Sequence, residues 1–173
     1  MQHATFIDKI ALQEKSEFFK KAAFIESQNY AKTDLVYQRM ELEIDPNILY
    51  FKGIITTFYK RNTANLKEIE FDLLSVITVD SVVQNHQKID FTRTKNKLNI
   101  NLKNTLREGE LDSVSVYYQG NPGNSGFGSY SQTIHNGVPN IWTLSEPYGA
   151  MEWWPCKQSL ADKIDSIDII VTS

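Results

Sequence analysis

Leu35-Val36-Tyr37-Gln38-Arg39-Met40-Glu41-Leu42-Glu43-Ile44-Asp45 alternates apolar and polar side chains with a period of two. That period places Val36, Met40, Leu42 and Ile44 on one face of a strand and Tyr37, Arg39, Glu41 and Glu43 on the other. Asp45-Pro46-Asn47 then predicts a turn, because proline presets φ and the aspartate can bond back to the chain. Leu49 to Lys60 is rich in β-branched and aromatic residues and predicts the second strand of a hairpin.

The same pattern continues outward. Ile69, Phe71 and Leu73 alternate with Glu68, Glu70 and Asp72. Val76 to Val83 predicts a further strand, and Ile89 to Thr92 a short one after the Asn85-His86-Gln87 turn. Leu98, Ile100 and Leu102 alternate with polar residues, as do Val114, Val116 and Tyr118. Ser166 to Thr172 predicts a last strand. Short strands at this spacing imply a mainly β domain, an antiparallel sandwich or saddle. Phe6, Ile10, Phe18, Ala22 and Ile25 instead recur every three to four residues, which predicts one N-terminal amphipathic helix. The chain thus divides into a helical extension, 1–31, and a β-domain, 32–173. Gly120 to Gly137 reads as one long irregular loop.

Composition narrows the chemistry. The chain has 173 residues, enough for one well-filled core, and a formal net charge of -3 gives no electrostatic reason to expect nucleic acid. No run of 18 apolar residues is present to span a bilayer, and Met1-Gln2-His3-Ala4 does not open an export signal. A single cysteine, Cys156, excludes an internal disulfide and reads as a buried structural thiol. The three histidines, His3, His86 and His135, are scattered, so no His-Glu-x-x-His zinc site is encoded. No nucleophile elbow or phosphate-binding loop appears either. Catalytic and metal residues are therefore expected to be absent from this chain. Trp142, Tyr148, Trp153 and Trp154 cluster near proline and glycine, which predicts an aromatic plug under a loop.

One further segment carries a resemblance. Ser145-Glu146-Pro147-Tyr148-Gly149-Ala150-Met151-Glu152-Trp153-Trp154-Pro155-Cys156 is similar to the segment closing the N-terminal β-domain of zinc aminopeptidases related to aminopeptidase N and leukotriene-A hydrolase. Glu146-Pro147 keeps the family's dipeptide, and Cys156 follows Glu146 at the family's spacing. Trp154-Pro155-Cys156 stands for Phe-Pro-Cys. Tyr118-Gln119-Gly120 resembles the family's Tyr-x-Gly, and Leu35–Asp45 followed by Tyr50–Thr56 resembles its opening strands. Leu144 replaces a Gln, Met151 and Glu152 an Arg pair, and Gln158 an Asp, which suggests a divergent branch resembling exported aminopeptidases of the Bacteroidetes type. Gly149-Ala150-Met151-Glu152-Trp153 also looks like the amine-clamping motif of the catalytic domain, but too few residues and no histidine follow it, so the likeness reads as accidental.

The resemblance implies a non-catalytic N-terminal domain, cut before its catalytic domain, from an exported enzyme. It implies that Glu146 holds the free amine of a peptide substrate, and that zinc belongs to the missing catalytic domain, the expected partner. A last strand without its neighbour implies association of two copies through that edge. The alternative is a stand-alone β-sandwich binding or adhesion module using the aromatic cluster and the Gly-rich loop.

Overall fold

The computed structural model describes residues 26–103, 107–123, 129–145 and 148–173. The helix expected over Phe6–Gln28 falls, up to residue 25, outside the described residues. The described chain enters through a 3-10 turn, Gln28–Lys32, whose first residues are capped by the Ser27 hydroxyl accepting from the Asn29 amide at 3.3 Å. Tyr30 on this turn is buried.

Eleven strands follow among the described residues. β1 (Thr33–Asp45), β2 (Ile48–Arg61), β4 (Thr78–Gln84), β5 (Gln87–Ile89), β8 (Leu111–Gly120) and β11 (Ser166–Thr172) make a six-stranded sheet in the order β11-β1-β2-β8-β4-β5. β3 (Glu68–Asp72), β7 (Lys97–Asn101) and β6 (Phe91–Thr94) make a second sheet, and β9 (Ser131–His135) pairs with β10 (Val138–Trp142) as a separate hairpin. Met40, Ile55 and Val116 from the first sheet and Phe71, Leu98 and Ile100 from the second belong to one buried cluster. The alternation in the sequence supplies both halves of that core.

Four features depart from the sequence expectation. β1 and β11 pair in parallel, Tyr37 opposite Ser166 through Glu43 opposite Thr172, so the large sheet is mixed and not wholly antiparallel. The cause is the return path: the Lys157 ammonium bonds the Thr33 carbonyl at 2.6 Å, which brings the chain back to the start of β1 before β11 begins. In β1 itself, Leu35 pairs with Tyr59 and Tyr37 with Phe58, leaving Val36 as a bulge. The extra residue shifts the parity, so Leu35 and not Val36 joins Met40 and Leu42 in the core. Third, Ile89–Thr92 is not one strand, because the chain changes sheet at Asp90, whose carbonyl accepts from the Asn101 amide at 2.9 Å.

Finally, the end of the expected Gly120–Gly137 loop is β9 and the turn of a hairpin. Asn136 and Gly137 adopt φ of 51° and 80°, the left-handed pair that a two-residue turn needs. Residues 124–128 of that loop lie outside the described residues.

Candidate site around the Ser145–Cys156 segment

The segment is stitched down by backbone bonds at almost every step. The Gly149 amide donates to the Ser145 carbonyl at 3.0 Å, and Ala150–Glu152 closes a 3-10 turn. The Met151 carbonyl accepts from Leu74, and that of Glu152 from Gly123, both at 2.8 Å. Cys156 and Asp72, at the end of β3, exchange two bonds of 2.7 and 3.0 Å. Position 149 requires glycine, since a Cβ there would lie 2.1 Å from the Ser129 hydroxyl. Tyr148 beside it has φ of 68°, which few non-glycine residues take.

Aromatic packing fixes the segment from below. Phe51, Tyr130, Trp153 and Trp154 form a chain of rings with centroids 5.5, 5.8 and 5.8 Å apart. The Trp153 indole N–H donates to the Ser145 hydroxyl at 2.9 Å, tying the plug to the start of the segment. The expected plug therefore exists around Trp153, but Trp142 is not in it: that ring, on β10, is 42% exposed. A hollow of about 250 Å³ opens next to the plug, with Tyr148, Trp154, Gln158 and Leu160 among its walls.

Glu146, the residue expected to hold a substrate amine, and Pro147 lie outside the described residues. Glu152 is buried in the turn that packs on Leu74 and Gly123. His86 and His135 occupy or adjoin exposed hairpin turns, and His3 is not described. Among the described residues no group of three or more His, Cys, Asp or Glu could hold a metal ion.

Cys156 is a free, buried thiol. Burial pushes its pKa well up and the nearby Asp72 carboxylate adds to this, with Lys97 opposing. A thiol so protonated and so covered is a poor nucleophile. Cys156 is accordingly expected to resist an aromatic disulfide reagent in the native protein and to react fully in denaturant; stoichiometric labelling without denaturant would contradict the packing described.

Alternation along β3 suggests that Glu68, Glu70 and Asp72 share a solvated face, yet Asp72 is buried. Lys97, directly across from Asp72 in the β3–β7 register, reaches its carboxylate at 2.6 Å and that of Glu70 at 3.1 Å. The Tyr30 hydroxyl bonds Asp72, and Asn29 donates to Glu70 at 3.0 Å. Burial lowers the Lys97 pKa, but Asp72 and Glu70 outweigh it and hold the ammonium above its ordinary value. This network anchors the strand end to which Cys156 is bonded. Its signal in the sequence is the opposite charge at 72 and 97, visible only once the register is known.

Comparison with protein-family models gives no match, and comparison with curated proteins gives none either. Solved structures do match. The M1 zinc metallopeptidase from Deinococcus radiodurans is 24% identical with a TM-score of 0.67, over 82% of this chain and 33% of that chain. A point mutant of that enzyme is 25% identical with a TM-score of 0.66, over 81% and 32%. Native yeast LTA4 hydrolase shares the fold at 13% identity and a TM-score of 0.66, over 88% and 26%. The chain thus spans about a third or less of the length of the enzymes it matches. Over most of its length the chain is similar to M1 zinc metallopeptidases and LTA4 hydrolase, as an N-terminal domain of that family would be.

Proposed function

We propose that this chain is the non-catalytic N-terminal domain of a zinc aminopeptidase, with residues 32–173 as its β-domain, 1–31 as a helical extension and its two sheets as the layers of a saddle. The fold likeness to M1 zinc metallopeptidases carries this reading. The described residues offer no donor set for zinc, so the metal is assigned to a catalytic domain acting as partner, and no step of this domain is routed through it. Exported localisation of the parent is part of the same proposal.

In this reading Glu146 anchors the free amine of a peptide at the cleft. A structure of the Deinococcus radiodurans enzyme mutant holds a Tyr-Ser-Ala substrate, and structures of a two-domain M1 zinc metallopeptidase mutant hold L-tryptophan and L-arginine. Free amino acids carry an α-ammonium, and a carboxylate is an acceptor-only group suited to a cation. The described residues on either side are held in place: Ser145 by Gly149 and Trp153, and Cys156 by Asp72.

Glu146→Ala in the full-length protein is the test. A charge-assisted hydrogen bond contributes about 1.5–3 kcal/mol, so kcat/KM for aminoacyl anilides should fall about 10- to 150-fold. Turnover of N-acetylated analogues should not change, so discrimination for a free N-terminus should collapse. Unchanged discrimination would sink the anchor role, and hydrolysis by the 173-residue chain alone, with or without zinc, would sink the non-catalytic reading.

A further inference from the structure

We infer that the hollow beside the aromatic plug is a binding site for a neutral amide carrying a short branched aliphatic chain, such as a peptide group next to a leucine-like side chain. This goes beyond the aminopeptidase reading and does not depend on it.

The hollow, of about 250 Å³, lies where the chain returns from Cys156 past the start of β1. Leu35, Leu160 and Ile164 supply apolar walls, and Trp154 and Gln158 supply polar ones. The volume falls below the roughly 300–1,000 Å³ of pockets that take drug-sized molecules, so it suits a single small unit.

Polar side chains around the hollow are otherwise engaged. Gln38, another wall, donates to the Thr57 hydroxyl at 3.0 Å. The Lys157 ammonium is held by the Thr33 carbonyl at 2.6 Å and by the Asp162 carboxylate. Within the plug, the Trp153 indole N–H is taken up by Ser145.

Two groups are left over. The Trp154 indole nitrogen and the Gln158 amide oxygen are buried and have no hydrogen-bond partner. Gln158 as a whole is 6% exposed. Its amide nitrogen donates to the Met151 thioether at 3.1 Å, and Met151 is not a wall of the hollow, so the oxygen on the other branch is turned toward the hollow. Trp154 is steadied by Trp153, their ring centroids 5.8 Å apart. The hollow thus offers one donor that lacks an acceptor and one acceptor that lacks a donor. Burial of such groups costs desolvation that only a bound partner recovers.

That pair selects the ligand. An amide brings a carbonyl for the indole N–H and an N–H for the Gln158 oxygen. An ester accepts but cannot donate, and leaves Gln158 orphaned. An ammonium donates but cannot accept, and the one carboxylate among the walls, Asp162, is already paired with Lys157. Water satisfies either polar atom but leaves the apolar walls wet. A ligand that lays an aliphatic chain on Leu35, Leu160 and Ile164 therefore displaces water with a gain.

Isovaleramide is the probe, and methyl isovalerate is its counterpart without an N–H. Titrated into the nitrogen-15-labelled 173-residue chain, isovaleramide should give a saturable downfield shift of the Trp154 indole N–H resonance, which Trp154→Phe assigns by removing it. Methyl isovalerate should bind about tenfold more weakly. Gln158→Met keeps the volume and removes the acceptor, so it should bring the amide to the level of the ester and leave the ester unchanged. No saturable shift, equal binding of the two probes, or an amide preference that survives Gln158→Met would overturn the inference. If Gln158→Met fails to fold, the comparison of the two probes on the unaltered chain decides. Binding by the 173-residue chain that is lost in the full-length protein would mean that the rest of the protein fills the hollow, and would overturn a site for free amides.

Discussion

Asp112→Ala is expected to cost about 3–5 kcal/mol of folding stability, a large part of what a domain of this size possesses. Asp112 sits on β8 within the large sheet and is buried together with Arg61. Its carboxylate accepts from Gln84 at 2.8 Å and from the Tyr59 hydroxyl at 3.1 Å, and pairs with the Arg61 guanidinium at 3.5 Å. Gln84 passes the arrangement on by accepting from the Lys103 amide at 2.9 Å. Alanine removes a buried carboxylate that accepts from Gln84 and Tyr59 and pairs with the guanidinium, so the buried donors around it keep their desolvation cost without that acceptor. Asn, which retains an acceptor but not the charge, should cost less. Urea unfolding of the two variants measures both; a loss below about 1 kcal/mol for alanine would mean that the pair contributes no more than a surface one.

Trp153→Ala is the second large effect, expected at about 3–5 kcal/mol. The ring lies between Tyr130 and Trp154, and its removal leaves an indole-sized void that the rigid backbone around Gly149 cannot collapse into. The Ser145 hydroxyl also loses its donor. Trp153→Phe keeps most of the volume and should recover about half of the loss. Under the proposed anchor role of Glu146, the alanine variant of the full-length protein should also raise KM for a peptide substrate, because Ser145 loses its bond to the indole. A KM unaffected by a folded Trp153→Ala protein would separate the plug from the site.

Local alternation made most strands legible, because burial on one face imposes a period of two whatever the tertiary context. What it could not reveal is where the period slips. The bulge at Val36 exchanges Leu35 for Val36 in the core, and nothing in that dipeptide distinguishes two adjacent aliphatics. Asp90 stands between β5 and β6, which belong to different sheets although Ile89 and Phe91 pack on the same core. The β9–β10 hairpin was announced by Asn136-Gly137, but the glycines upstream made the whole stretch look irregular. The parallel pairing of β11 depends on the path from Cys156 past Thr33, a long-range contact that no window of sequence contains. For the site, the Glu146 and Cys156 spacing identified the segment, while the Tyr30, Asp72 and Lys97 support beneath it emerged only from the fold.

The parallel match of the first and last strands fixes the exits of the chain. Thr172 lies beside Glu43, ten residues along β1 from Thr33, so the two points of departure are about 33 Å apart at opposite poles of the sheet. A reporter joined ahead of β1 and one joined behind β11 would sit too far apart for collisional quenching yet well within reach of resonance energy transfer. The same polarity means that anything tethered through the leading end hangs from one pole, leaving the other clear for whatever is attached there.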